Sequence, residues 1–347
     1  MKQHENHKPK RLTVYVLTTA FIVFAVNIAI ALSAYWYTVN AEADALNASI
    51  SDIASEKVAN TVKSMELNAI NVFDEVGKHL DSPESVIDAL KSKTYLNSDI
   101  RGYFAAFTPG FFPQRARLFE PYVFQRNKNG KFEVRQVASA RHDYTKSDWY
   151  IHALSLIEQL PVSNDSTGLS FWSDPYYYYD DTNISGHYCT FVKPVFDGKG
   201  KLACVCGADI TFEWLSKELE IIDSNIINND MSNAYYKDDD FYTVILDNEG
   251  TCIAYPGGKR VVANDSVIIS DLSHHKQGIA KISVAGTPST IYYKPIEGIN
   301  WSVAVVVPQH NIMKPLQSVA YMLLLTLIVG MSVLWIVCHK VSHERVD

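Results

Sequence analysis

Basic charge is in short supply in this chain of 347 residues: 31 Lys and Arg stand against 38 Asp and Glu, a net charge of −7. A nucleic-acid partner requires a basic patch to neutralise phosphates, and no such patch accumulates here. Cysteine is scarce as well, with Cys189, Cys204, Cys206, Cys252 and Cys338 making up the whole set. None sits in a Cys-x-x-Cys pair or a Cys/His cluster, which removes the usual zinc sites. The motifs of hydrolytic and phosphoryl-transfer chemistry are missing too. There is no His-Glu-x-x-His and no Gly-x-Ser-x-Gly, and Gly257-Gly258-Lys259 lacks the first glycine and the Ser/Thr of a phosphate loop. Asp180-Asp181, Asp238-Asp239-Asp240 and His274-His275 have no partners at ligand spacing and read as solvated loops. The acidic run also lacks the spacing of a calcium loop. These absences imply a protein that is not an enzyme and that carries neither cofactor nor metal.

Charge disappears altogether from two long stretches. Leu12–Ala41 and Leu316–Cys338 contain no charged side chain and are rich in Leu, Ile, Val, Ala and Phe. A bilayer core needs about 20 apolar residues in a helix, so each stretch predicts a transmembrane span. The first is also about twice the length of a signal-peptide core. Lys2, Lys8, Lys10 and Arg11 precede the first span, and Lys340 and Arg345 follow the second, whereas 40–52 carries acids and no base. An excess of Lys and Arg marks the cytoplasmic face, so both termini are expected inside and the intervening segment outside. Tyr35, Trp36 and Tyr37 fit an interfacial aromatic belt. Residues 1–11, 12–39, 316–338 and 339–347 are thus expected as cytoplasmic end, span, span and cytoplasmic tail. Residues 339–347 are too few for an output domain, which implies an input half or a separate signalling partner.

The outer segment begins with helical periodicity. Leu46, Ile50, Ile53, Val62, Met65, Val72, Val76 and Leu80 recur at spacings of three, four or their sums, predicting a long amphipathic helix continuing the first span. It ends near Asp81-Ser82-Pro83-Glu84, where a second helix begins. Strand periodicity follows from Gly102. Asn127–Gly130, Asp197–Gly200 and Asp247–Gly250 each separate two apolar runs as hairpin turns. Asp148–Gln159 and Thr211–Ile222 read as helices, and the polar 225–240 as a linker. Cys189 and Cys206 could approach across the second hairpin, where an oxidising compartment would permit a disulfide, but buried free thiols are the default reading.

Three segments carry a family resemblance. Asp148-Trp149-Tyr150 opens a helix, Phe171-Trp172-Ser173-Asp174-Pro175-Tyr176 follows, and Val192–Asp197 leads through Cys206-Gly207-Ala208-Asp209-Ile210. Together with the order of span, long helix, large lobe, small lobe and span, they resemble the double Cache (dCache) sensor domains of bacterial chemoreceptors, histidine kinases, cyclases and phosphatases, over roughly residues 40–315. The input regions of membrane-bound serine phosphatases are the most similar. The resemblance implies an α+β fold: a long N-terminal helix with two PAS-like antiparallel-sheet lobes, flanked by two transmembrane helices. Residues 40–224 would hold the helix and a membrane-distal ligand-binding lobe, and 225–315 a linker and a membrane-proximal lobe. It implies a small-molecule ligand, an amino acid or another small polar metabolite, and a homodimer.

Carried over residue by residue, the resemblance places Trp149, Tyr150 and Asp209 at the ligand. Where amino-acid-binding members have Arg two positions before the Trp, this chain has Ser147, and the preceding Tyr position is His142. Loss of the guanidinium removes the natural partner of a ligand carboxylate. Tyr144 and Tyr176 complete the expected ligand set, with Tyr144, Lys146 or Arg141 as substitutes for the missing Arg. Each residue has a plainer reading. Trp149 and Tyr150 could pack the core, and Asp209 could cap the helix starting near Thr211. Of Tyr176–Tyr179, strand alternation sends two inward. The rival to a receptor input module is a membrane-anchored scaffold that binds a protein.

Overall fold

In a computed structural model the described residues are 8–94, 100–125, 132–159, 169–178, 186–228, 241–258, 261 and 265–344. One helix, α1 (Lys8–Lys78), runs without a break from the apolar N-terminal stretch into the globular part. At 1.5 Å per residue it is roughly 105 Å long. Its buried stripe, Ile50, Ala54, Val58, Val62, Met65, Ala69, Val72 and Val76, advances three or four residues at a time and shares five residues with the predicted set, of which Leu46, Ile53 and Leu80 are only half-buried. After a turn capped by Ser82, whose Oγ accepts from Ser85 N at 3.1 Å, α2 (Pro83–Thr94) folds back on α1.

Two antiparallel sheets line up along α1. The first contains β1 (Gly102–Phe107), β2 (Pro121–Gln125), β3 (Phe132–Gln136), β4 (Phe171–Trp172), β5 (Tyr176–Tyr178), β6 (Gly186–Phe196) and β7 (Leu202–Thr211). Its order is β3-β2-β1-β7-β6-β4, with β5 also paired to β6. Helix α3 (Asp148–Glu158) lies on the face away from α1. Helix α4 (Phe212–Asn228) leads to the second lobe and is pinned there by Asp223, whose carboxylate accepts from Thr243 N at 3.0 Å. The second sheet has the order β10-β11-β12-β8-β9. It is built from β8 (Tyr242–Asp247), β9 (Cys252–Ala254), β10 (Gly278–Val284), β11 (Thr287–Pro295) and β12 (Trp301–Pro308), with α5 (Ser266–Ser273) on its outer face. From β12 the chain enters α6 (Gln309–Glu344) directly. Helices α1 and α6 both contain segments long and apolar enough to cross a membrane.

The second lobe sits nearer the apolar half of α1. Asp44 accepts from the Tyr292 hydroxyl at 2.7 Å and Asp52 pairs with Lys294 at 2.6 Å, both on β11. Farther along α1, Asp74 pairs with Lys193 of β6 at 2.9 Å. The lobes also meet through Trp172 of β4 and Trp301 of β12, with ring centroids 5.6 Å apart, while the Trp172 indole donates to Glu66 of α1 at 2.9 Å.

Of the two cysteine readings, free thiols hold: Cys189 lies opposite Ile210 and Cys206 opposite Lys193, four residues along the strand, so no disulfide joins them, and all five cysteines are free. Residues 225–228 of the expected linker belong instead to α4, which continues to Asn228, and residues 229–240 lie outside the described residues. The Asn127–Gly130 turn and the Asp180-Asp181 and Asp238–Asp240 runs lie outside the described residues.

Candidate functional site

The first sheet brings Asp209 of β7 opposite Gly102 of β1 and Thr190 of β6. On the face away from α1, between this sheet and α3, lies a cavity of about 40 Å³. Two glycines make room for its walls. A Cβ on Gly207 would sit 2.1 Å from the Phe104 ring, and one on Gly102 would sit 2.5 Å from the Tyr122 ring. Both rings lie flat over the strands only because those side chains are missing, and both form wall.

Asp209 is 7% exposed at the cavity floor. Its Oδ1 accepts from Thr190 Oγ1 at 2.6 Å and from the Tyr176 hydroxyl at 3.4 Å, and the Tyr122 hydroxyl also bonds the carboxylate. Burial disfavours the charge and pushes its pKa to about 7; the hydroxyl bonds act the other way and Glu120 adds to the rise. The Tyr122 and Tyr176 phenols are driven up, first by burial and then by Asp209, so they stay protonated as donors. Capping falls to a different residue, since Thr211 Oγ1 accepts from Trp214 N at 3.2 Å at the start of α4.

The other expected residues divide in two. Trp149 lines the cavity, its ring 5.0 Å from that of Phe104. Tyr176 and Tyr178 face the same space while Tyr177 between them is 56% exposed; Tyr179 lies outside the described residues. Tyr150 and Tyr144, by contrast, lie behind the wall. Their rings pack 5.3 Å apart in the core, and the Tyr144 hydroxyl donates to the Phe107 carbonyl. Of these two expected ligand residues neither lines the cavity; Tyr150 meets Trp149 edge-on at 5.7 Å.

Glu120 was not legible as a site residue. It precedes β2 in Phe119-Glu120-Pro121, where a lone acid reads as a surface residue before a strand. Yet it is 3% exposed and lines the cavity. Its Oε2 accepts no hydrogen bond, and His142 Nε2 stands 3.5 Å away. Burial raises its pKa, and His142 partly opposes this. Outside the cavity, sharing His142, Trp149, Tyr176 and Tyr178 with it, is a groove of about 640 Å³ that reaches Asn300 of the second lobe. Ser147, Asp148 and Asp174 are on its walls. No cluster of His, Cys, Asp and Glu able to hold a metal ion occurs among the described residues.

A family model described as Cache domain, of the double Cache type, matches residues 37–316. Among solved structures, the extracellular domain of a protein described as a histidine kinase, soHK1S-Z6, is 20% identical with a TM-score of 0.59, covering 80% of this chain and 98% of its own. The periplasmic sensory domain of the Campylobacter jejuni chemoreceptor Tlp1 is 13% identical, with a TM-score of 0.58 over 80% of this chain and 99% of its own. The ligand-binding domain of the Pseudomonas fluorescens chemoreceptor CtaA, in complex with L-serine, is 14% identical, with a TM-score of 0.52 over 78% and 99%. No curated protein matches the chain.

Proposed function

Because this chain belongs to the Cache domain family, we propose that it is the extracytoplasmic input module of a transmembrane receptor, binding a small molecule in its first lobe. The observation that carries this reading is the walled cavity at Asp209. A buried carboxylate held by three hydroxyls, under aromatic rings and open to a groove, is the layout of a small-ligand site: apolar walls with a few placed polar groups.

A path to the membrane is built in. Ser173–Tyr176 joins the pocket strand β5 to β4, where Trp172 touches Trp301, and β12 runs from Trp301 straight into α6. A ligand that shifts β4–β5 would thus move the strand that α6 continues. Helices α1 and α6 serve as the two spans, with both termini in the cytoplasm.

The test is a melting-temperature screen of the full chain in detergent against amino acids, amines, organic acids and sugars. A ligand that binds only the native state raises the melting temperature with concentration. At least one class should do so, and Trp149→Ala should weaken that ligand tenfold or more by opening the wall. Stabilisation that Trp149→Ala leaves untouched would move the site elsewhere, and the absence of any stabilising class would sink the sensory reading.

A further inference from the structure

The charges around the pocket are lopsided, and this bears on the class of ligand if the sensory reading holds. Asp209 and Glu120 share the cavity, and Asp148 and Asp174 line the groove outside it. Among the described residues no Lys or Arg side chain is on either wall. The nearby guanidinium groups are otherwise engaged: Arg101 and Arg135 stack over Phe124 at 5.4 and 5.1 Å, and Arg135 also pairs with Glu133. A ligand carboxylate entering here would find four carboxylates and no fixed cation.

Glu120 points to what does fit. Its Oε2 is buried with only His142 Nε2, 3.5 Å away, as a neighbouring donor, and a buried acceptor without a close donor is costly, so such groups are normally better paired. Around it stand the rings of Phe104, Tyr122, Trp149 and Tyr178, aromatic walls whose faces attract a cation. A space of about 40 Å³ admits a group of ammonium size, and the groove beyond has room for the remainder of a molecule.

We propose that the pocket takes a small organic cation, a primary alkyl- or hydroxyalkylammonium without a carboxylate, its nitrogen between Asp209 and Glu120 and its carbons against the aromatic walls. Glu120 is the specificity-determining residue. It supplies the second acceptor for the ammonium, and its charge makes a ligand carboxylate unwelcome at the place where an α-amino acid would put one.

Binding is coupled to protons. The groups facing Asp209 are Thr190 and Tyr188 of β6, Tyr176 of β5, Tyr122 of β2 and Glu120; His142 faces Glu120. The tyrosines stay neutral, so the ammonium takes over the charge balance that a proton provides in the empty pocket. With Asp209 titrating at about 7, loss of that one proton makes affinity about tenfold higher at pH 8 than at pH 6. Any charge on His142 at low pH acts in the same direction.

Calorimetry on the full chain in lipid nanodiscs, with ethylamine, ethanolamine, alanine and propionate, tests this. Ethylamine and alanine differ by one carboxylate. The two amines should bind, alanine should be at least tenfold weaker, and propionate should not bind. Proton release at pH 6 should show as a heat that changes with the buffer. Glu120→Gln should weaken the amines tenfold or more and narrow their advantage over alanine, without lowering the melting temperature. Alanine binding as well as ethylamine, or Glu120→Gln leaving amine affinity unchanged, overturns the ammonium assignment and leaves the pocket as a sensor of another class. If none of the four binds, the assignment is also overturned, and the wider screen with Trp149→Ala decides separately whether the pocket senses anything.

Discussion

Asp209 shows how one side chain can link ligand chemistry to stability. Its pKa is about 7 in the folded protein against an ordinary value of 3.8, so the native state keeps a proton that the unfolded chain releases between those values. Stability contributed by that proton is complete below about pH 4 and is lost as pH rises through about 7, on the order of 4 kcal/mol at most. Glu120 is shifted in the same direction and adds to the loss. The melting temperature of the unliganded chain should therefore fall from pH 5 to pH 8. Asp209→Asn should flatten the fall, matching wild type at pH 4 and exceeding it by several degrees at pH 8. Parallel pH profiles for the two proteins would mean that Asp209 titrates like an exposed carboxyl.

The turns and the long helix show which elements local chemistry can specify. Asp197 Oδ1 accepts from Lys199 N and Lys201 N, both at 2.9 Å, and Gly200 takes a φ of 75°. Asp247 does the same in the second lobe, accepting from Glu249 N at 2.9 Å and Thr251 N at 2.7 Å, with Gly250 at 81°. An Asp followed by Gly three residues later is enough to write both hairpins, because donors, acceptor and left-handed residue are all local. Helix α1 was legible for a similar reason, its 3.6-residue period being continuous. One position on it breaks the pattern. Asn47 is fully buried, and neither amide atom has a hydrogen-bond partner, although Ser51 and Ser55 one and two turns on donate to the carbonyls of Tyr292 and Pro295. Replacing an unpaired buried amide by an apolar side chain of similar size removes its desolvation cost, about 1–3 kcal/mol. Asn47→Leu is thus expected to raise the melting temperature of the full chain, and a fall would show that the amide has a structural task.

At the scale of the whole molecule, α1 ties two lobes and an apolar helix into one body, from Asp44 at the second lobe to Gly77 against Val195 of the first. That span of α1 is roughly 50 Å at 1.5 Å per residue. The second lobe lies nearer the apolar segments, and the pocket lies at the far end from them. If the termini are cytoplasmic, reporter fusions after Val346 should be active only as cytoplasmic reporters, and fusions at Gly198 only as exported ones. The opposite pattern would invert the proposed orientation and place the pocket inside the cell.

The sequence by itself determined what depends on neighbours along the chain. It specified the two apolar stretches, the α1 stripe, the hairpin turns, and, through ordered motifs, the family and the candidacy of Trp149, Tyr176 and Asp209. Tertiary structure decided the rest. The pairing of β1 with β7 joins residues about a hundred positions apart, and together with the pairing of β2 to β1 it sets Phe104 and Tyr122 over Asp209. Glu120 became a pocket residue, Tyr144 and Tyr150 became core, and Cys189 drew away from Cys206 by four residues of strand. Burial and cross-strand register are properties of contacts between distant segments, and no local period or spacing encodes them.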